Sequence, residues 1–383
     1  MRVVVAPDKF KGSLTAVQAA EAIGDGVRDA VPDAGVALCP VADGGEGTLD
    51  VLLAAGGKRV EQRVRGPLDE PVDAWYVVLD GTAYIESARA CGIEHVTPSP
   101  EVALAAHTYG VGELIAHALA GGAHRIVLTV GGTASTDGGC GMLQALGARV
   151  LDASGSTVGL GGGALTEVAS VDLTEVHRRL GRAGVRVATD VTNPLLGPDG
   201  AAPVFGPQKG AGAREVELLR HGLSRWADAL ERAGAPALAD VPSAGAGGGI
   251  SGGAMAALGA RAESGFDLVV ELTGVEDAVR AANLVITGEG SLDRQSLAGK
   301  APAGIAAMAG RHGVPVLAVA GRIALTGDEL ARAGIAGGLA LVDHASSIED
   351  AQRNAAALLR EHTAALVRSW RDGDRPPTAA TRS

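Results

Sequence analysis

Aromatic side chains are scarce in this chain: three Trp, three Tyr and three Phe stand among 383 residues. A core must therefore be assembled from Ala, Val, Leu and Ile, and surfaces that stack single-stranded bases are excluded. Cysteines number three, Cys39, Cys91 and Cys140, widely separated and without a CxxC pair. That pattern gives neither a disulfide framework nor a zinc site and suits a reduced, cytoplasmic setting. No run of 18 uncharged apolar residues occurs, so no membrane-spanning helix is expected. The opening MRVVVAPDKF is too short in apolar residues for a signal segment. No basic stripe appears, and the net charge is −11, which excludes nucleic acid and anionic membranes as partners. A small-molecule substrate and a monomeric or homodimeric protein are expected instead.

Glycine is abundant: 57 residues, about twice the usual share of roughly 7%. The glycines cluster between short apolar runs and Ala/Leu-rich stretches. The runs at 2–6, 36–40, 75–79, 82–86, 125–130, 185–189, 284–287, 316–320 and 338–342 read as strands, several apolar throughout, as in parallel sheets buried on both faces. Strand, glycine loop and helix in succession predict an α/β protein of about two domains. Residues 59–75 show polar alternation and mark a boundary region. RDGDRPPTAATRS, 371–383, reads as a disordered tail.

In α/β sheets ligands lie at the carboxyl ends of the strands. There the sequence places Asp8 and Lys9, then Asp43-Gly44-Gly45-Glu46. Next comes GGTASTDGGCG from Gly131, with Gly132, Thr133, Ser135 and Asp137. Exposed N–H groups, hydroxyls and a helix start make this the best phosphate cradle. Asp190 ends another strand, with Asn193 behind it, and Lys209 stands in a Gly-Pro turn farther on. Carboxylates such as Asp43 or Glu46 suit Mg²⁺, a hard cation.

GEGSLDRQSLAGK, from Gly288 to Lys300, resembles a P-loop but fails it. Arg294 stands where the first glycine belongs and Ala301 where the magnesium-binding hydroxyl belongs. Gly288, Glu289, Gly290 and Asp293 still read as a ligand-facing wall, with Ser296 capping the helix that Lys300 enters. Gly247-Gly248-Gly249-Ile250-Ser251-Gly252 matches GxGxxG without the strand a dinucleotide site needs, and reads as close packing or a hinge. The inventory of carboxylates, lysines, hydroxyls and exposed backbone suits phosphoryl transfer.

Taken together and in order, APDKFKGSL, PVADGGEGT, VGGTASTDGGCGM, ATDVTNPLLG, FGPQKGA and ITGEGSLDRQSLAGK resemble the bacterial glycerate kinase family from about residue 1 to about residue 365. The family's Thr-Ser pair before Tyr-Gly-Val-Gly-Glu-Leu is His107-Thr108 here. The resemblance implies ATP-dependent phosphorylation of D-glycerate to 2-phosphoglycerate and ADP. It also implies two α/β domains with mainly parallel sheets and the active site in the cleft between them. One would be restriction-endonuclease-like and discontinuous, 1–62 plus 282–370; the other, flavodoxin-like, would be 63–281. On this reading Asp190 or Asp8 is the general base. Lys9 and Lys209 contact the glycerate carboxylate or the moving phosphate. The loops at 131–138 and 288–296 hold ATP and Mg²⁺, with Asp190, Glu289 and Asp293 as metal ligands.

Overall fold

The computed structural model describes residues 1–298 and 300–373. The expected tail lies outside the described residues from 374 onward, as does Gly299. Two compact units form, one from residues 1–55 with 266 onward, the other Gly56–Gly265. The divides fall earlier in the chain than the sequence-read boundaries. At the first, polar strand Lys58–Arg65 pairs along its whole length with Pro71–Leu79, so it belongs to the central unit.

The discontinuous unit holds five strands in the order Gly35–Leu38, Arg2–Pro7, Leu284–Leu292, Val316–Ile323, Gly337–Ala340, all parallel. Alternate residues face opposite layers. Val3 and Val5 join Leu284, Ile286, Leu317 and Val319 in one core, while Val4 and Ala6 join Val285 and Ala318 in the other. Both faces are buried, which explains the unbroken apolar runs. Helices Ala16–Ala30 and Ala355–Arg371 pack on one side, and Ala301–Arg311 on the other. Gly26 permits the close approach of the first two, since a Cβ there would overlap the carbonyl of Arg360.

Counted along the unit, this strand order is 2-1-3-4-5, the doubly wound order of flavodoxin-like folds. It lies in the discontinuous unit, not in the central one to which the resemblance attached it. Its direction reverses between Arg2–Pro7 and Leu284–Leu292, so the loops after these two strands flank the switch point where such sheets bind ligands.

The central unit has a six-stranded sheet in the order Arg261–Glu263, Gly184–Ala188, Arg125–Thr129, Thr82–Glu86, Pro71–Leu79, Lys58–Arg65. The first four are parallel and the last two pair antiparallel. One face is apolar: Ala83, Ile85, Ile126, Leu128, Val185 and Val187 pack in a single core. The alternate positions include Trp75, Tyr84, Glu86 and Thr129, all buried. A separate two-stranded hairpin pairs Arg149–Leu151 with Ser170–Asp172.

Candidate active site

At the switch point the pairing of Pro7 with Gly288 sets Asp8, just past the end of its strand, beside Glu289, which lies within the longer strand Leu284–Leu292. The backbone N–H of Asp8 donates to the carbonyl of Gly288 at 2.8 Å. Gly288 must lack a side chain, because a Cβ would strike the carbonyl of Val319 on the next strand. Asp8 is only 5% exposed. Its Oδ1 accepts from the N–H of Lys9 at 2.6 Å, and the Lys9 ammonium stands 3.9 Å away. Burial pushes the Asp8 carboxyl up to about 7; Lys9 pulls against this, while Asp43 and Glu289 reinforce it. A carboxyl poised near neutrality at a strand end is the profile of a proton-transfer group.

Glu289 is also buried, and burial raises its carboxyl above the ordinary range, helped by Asp293 and Asp43. Its Oε1 has no hydrogen-bond partner among the described residues. A buried carboxylate oxygen left without a donor is costly unless something fills the position. Asp43 turns its own loop, accepting from Gly45 at 3.1 Å. Gly44 and Gly47 take positive φ, 80° and 90°, and Glu46 is exposed between them.

Asp293 behaves differently. Its Oδ1 accepts from the N–H groups of Gln295 at 2.8 Å and Ser296 at 3.1 Å, and these bonds lower its carboxyl. Ser296 does not cap the following helix. Its hydroxyl donates to the carbonyl of Ser291 and accepts from the N–H of Asp293, and Lys300 is the N-cap. The local turn closes first because Asp and Ser three apart satisfy each other's backbone. Gly290 lies within the strand, where a Cβ would crowd the N–H of Lys11.

In the central unit the loop after Arg125–Thr129 is a folded cradle organised from within. Asp137 is fully buried and accepts four bonds: from Thr108 N–H and hydroxyl, Gly139 N–H and Gly141 N–H, at 2.8–3.1 Å. It is an internal anchor, not an open ligand. Thr108 passes the network on by accepting from Met142 N–H at 2.9 Å. His107, buried beside it, sets Nε2 3.4 Å from Asp69. Lys209 is 3% exposed and donates to the carbonyl of Ser135. Burial brings its ammonium down to about 8, against the pull of Cys91 and Asp137. The Cys91 thiol is driven up to about 12 by burial and the Asp137 charge, so it is inert at neutral pH. Gly131 and Gly132 lie exposed, whereas Thr133 and Ser135 are buried. The hydroxyls of Thr136, Ser87 and Ser251 are buried without partners among the described residues.

Gly247, Gly248 and Gly249 all take positive φ, and the Gly248 carbonyl accepts from Gly138 at 3.0 Å. Close packing is thus the use of the GxGxxG match. Asp190 accepts from Gly265 N–H at 3.2 Å, and Asn193 donates from its side chain to the carbonyl of Asp199 at 2.8 Å. The sequence reading missed Glu86, buried at the end of Thr82–Glu86, and Arg89, which bonds it at 3.1 Å. A lone Glu and Arg in the stretch ESARA give no motif. Among the described residues no group of three His, Cys, Asp or Glu is arranged to hold a metal, and no helix is long and apolar enough to cross a membrane.

Comparison with known proteins agrees over nearly the whole chain. Residues 3–371 match the model of the Glycerate kinase family. A glycerate kinase of Bacillus subtilis (strain 168) is 45% identical over 367 residues, 95% of this chain and 96% of that one. A glycerate 2-kinase of Escherichia coli (strain K12) is 44% identical, spanning 84% and 86% of the two chains. A crystal structure from Salmonella typhimurium LT2, assigned as glycerate kinase 2, superposes with a TM-score of 0.87 at 39% identity, covering 97% of this chain and 99% of that one.

Proposed function

The chain belongs to the glycerate kinase family, and we propose that it transfers the terminal phosphoryl group of ATP to D-glycerate, yielding 2-phosphoglycerate and ADP in the cytoplasm. The observation that carries this beyond family membership is Asp8. It is a buried carboxyl at the switch point, titrating near 7, with a lysine ammonium beside it.

In this reading Asp8 accepts the proton of the attacking glycerate hydroxyl. Its raised pKa suits a general base, since it is ionised in a large share of molecules at neutral pH yet basic enough to take a proton. Lys9 offsets charge that develops on the transferring group. The Gly131–Gly132 stretch presents backbone toward the nucleotide phosphates, while Asp137 and Lys209 hold that loop in shape. Asp8 is taken as the base because its carboxyl is buried, raised to about 7 and set beside the Lys9 ammonium.

Magnesium fits the donor chemistry of the discontinuous unit. Hard oxygen ligands are present, and the buried Oε1 of Glu289 lacks any donor among the described residues. Mg²⁺ keeps several waters and binds through one or two carboxylates plus substrate phosphates, so a ready-made protein cage is not required. Glu289 and Asp43 would hold it, and it would neutralise phosphate charge there. Asp293 is less suited, since its Oδ1 closes its own turn.

The test is ADP release by the purified chain with ATP, magnesium and D-glycerate, followed by NMR of the product. Glycerate-dependent release with the phosphate on the 2-oxygen is expected. No glycerate-dependent release from folded protein defeats the substrate assignment, and a 3-phosphoglycerate product defeats the position.

A further inference from the structure

Arg89 stands just past the carboxyl end of strand Thr82–Glu86, fixed on two sides. Its Nε donates to Glu86 Oε2 at 3.1 Å, and Glu86 is only 2% exposed. Its guanidinium lies 4.6 Å from the ring centre of Trp75, itself buried and covered by Arg59 at 4.5 Å. The Arg89 side chain keeps 30% of its surface exposed. With Nε bonded and one ring face stacked, the edge formed by Nη1 and Nη2 has no hydrogen-bond partner among the described residues.

The turn that carries Arg89 is fastened to the glycine cradle. Ser87 N–H donates to Thr129 at 2.9 Å, Ala134 N–H to Cys91 at 2.8 Å, and Ile93 N–H to Gly132 at 2.9 Å. Thus a guanidinium and the head of the loop at 131–134 are held in one rigid relationship. Little conformational freedom remains to be lost when an anion binds this fork.

We propose that Arg89 is a specificity residue that binds the carboxylate of the substrate through its Nη1/Nη2 edge. This rests on the reading of the protein as a glycerate kinase. A guanidinium edge fits either a carboxylate or a phosphate bidentately. The Glu86 charge directly behind Nε brings the pair near neutrality. That favours a monoanion such as glycerate over a polyanionic triphosphate, which the glycine N–H groups and lysines serve better.

The experiment is steady-state kinetics of wild type, R89Q, R89K and R89A, varying D-glycerate and ATP separately, with thermal melting of each. In R89Q the KM for glycerate should rise about 10- to 100-fold, the loss of a charge-assisted contact, with the KM for ATP nearly unchanged. R89K should recover only part, because a single ammonium cannot form the fork. Added guanidinium ion should restore glycerate turnover to R89A, an effect a purely structural arginine would not give. Equal rises in both KM values, or lowered melting with the glycerate KM intact, would assign Arg89 to holding Glu86 and overturn the proposal. If wild type itself releases no ADP with glycerate, the kinase reading has failed. Calorimetric binding of glycerate to wild type and R89Q then decides Arg89 separately, equal affinity counting against it.

Discussion

Lys209 donates to the backbone carbonyl of Ser135 from a buried position, so the lysine braces the cradle from behind. Burial holds its ammonium at about 8. An unfolded lysine keeps its proton to roughly 10.4. Between these values the unfolded chain binds a proton that the folded chain has released, so this residue's contribution to stability rises with pH across that window. K209M should remove the rise. Urea midpoints near pH 7.5 and 9.5 should show wild type gaining on the order of 1–2 kcal/mol relative to K209M. Parallel pH curves for the two proteins would mean that Lys209 titrates as an ordinary solvated lysine.

Asp8 has the opposite sign. Its carboxyl titrates at about 7 when folded and near 3.9 when unfolded. From about pH 4 to 7 the folded chain holds the extra proton, so this group lowers stability as pH rises through that range. D8N should therefore be more stable than wild type at pH 8, by on the order of 2 kcal/mol, with the gap closing toward pH 4. Activity should move the other way. For a general base, kcat/KM rises with pH through about 7, and D8N should lose kcat by about 100-fold or more together with that limb. A D8N enzyme with a wild-type pH profile removes Asp8 from proton transfer.

Asp137 shows why a residue in a promising loop can be structural. Removing its carboxylate in D137A leaves the N–H groups of Thr108, Gly139 and Gly141 and the Thr108 hydroxyl without their acceptor in a dry interior. Each buried orphan costs about 1–3 kcal/mol. Equilibrium urea unfolding should show D137A destabilised by roughly 3 kcal/mol or more. A loss below about 1 kcal/mol would mean that the cradle relaxes around the gap and that the network is not what shapes it.

The strands at 2–7, 82–86 and 125–129 were legible in the sequence because apolar β-branched runs between glycine loops have few other uses. The strand Lys58–Arg65 was legible as polar alternation over 59–75, since one of its faces carries Arg59, Glu61 and Arg63, but it read as a domain boundary and not as an edge strand of the central sheet. The strand-end loops could be located, but not which way their side chains turn. Asp137 and Lys209 turn inward to the partners Thr108 and Ser135, which are distant in sequence, and Ser296 turns back on its own loop, whereas the Glu289 Oε1 is left without a partner among the described residues. Glu86 and Arg89 became visible only once Trp75 and the cradle were beside them. The topology of the discontinuous unit depends on the pairing of Arg2–Pro7 with Leu284–Leu292, which no local pattern encodes.

Gly248 tests whether the glycine triplet serves packing more than backbone freedom. Its φ is +68°, and a Cβ would overlap the carbonyl of Ser135 and lie 2.9 Å from Lys209 Nζ. Gly234 has φ +94° with nothing within 4 Å, so it isolates the conformational cost. G234A should lose about 1–2 kcal/mol, the penalty of a left-handed backbone on an L-residue. G248A should lose distinctly more, by about 2 kcal/mol beyond that, because the loop at 130–138 must shift to make room. It should also weaken ATP binding, since the displaced carbonyl is the one that Lys209 holds. Chemical denaturation and nucleotide titration of the two variants check both points. Equal losses in G248A and G234A would reduce the triplet to a flexible turn.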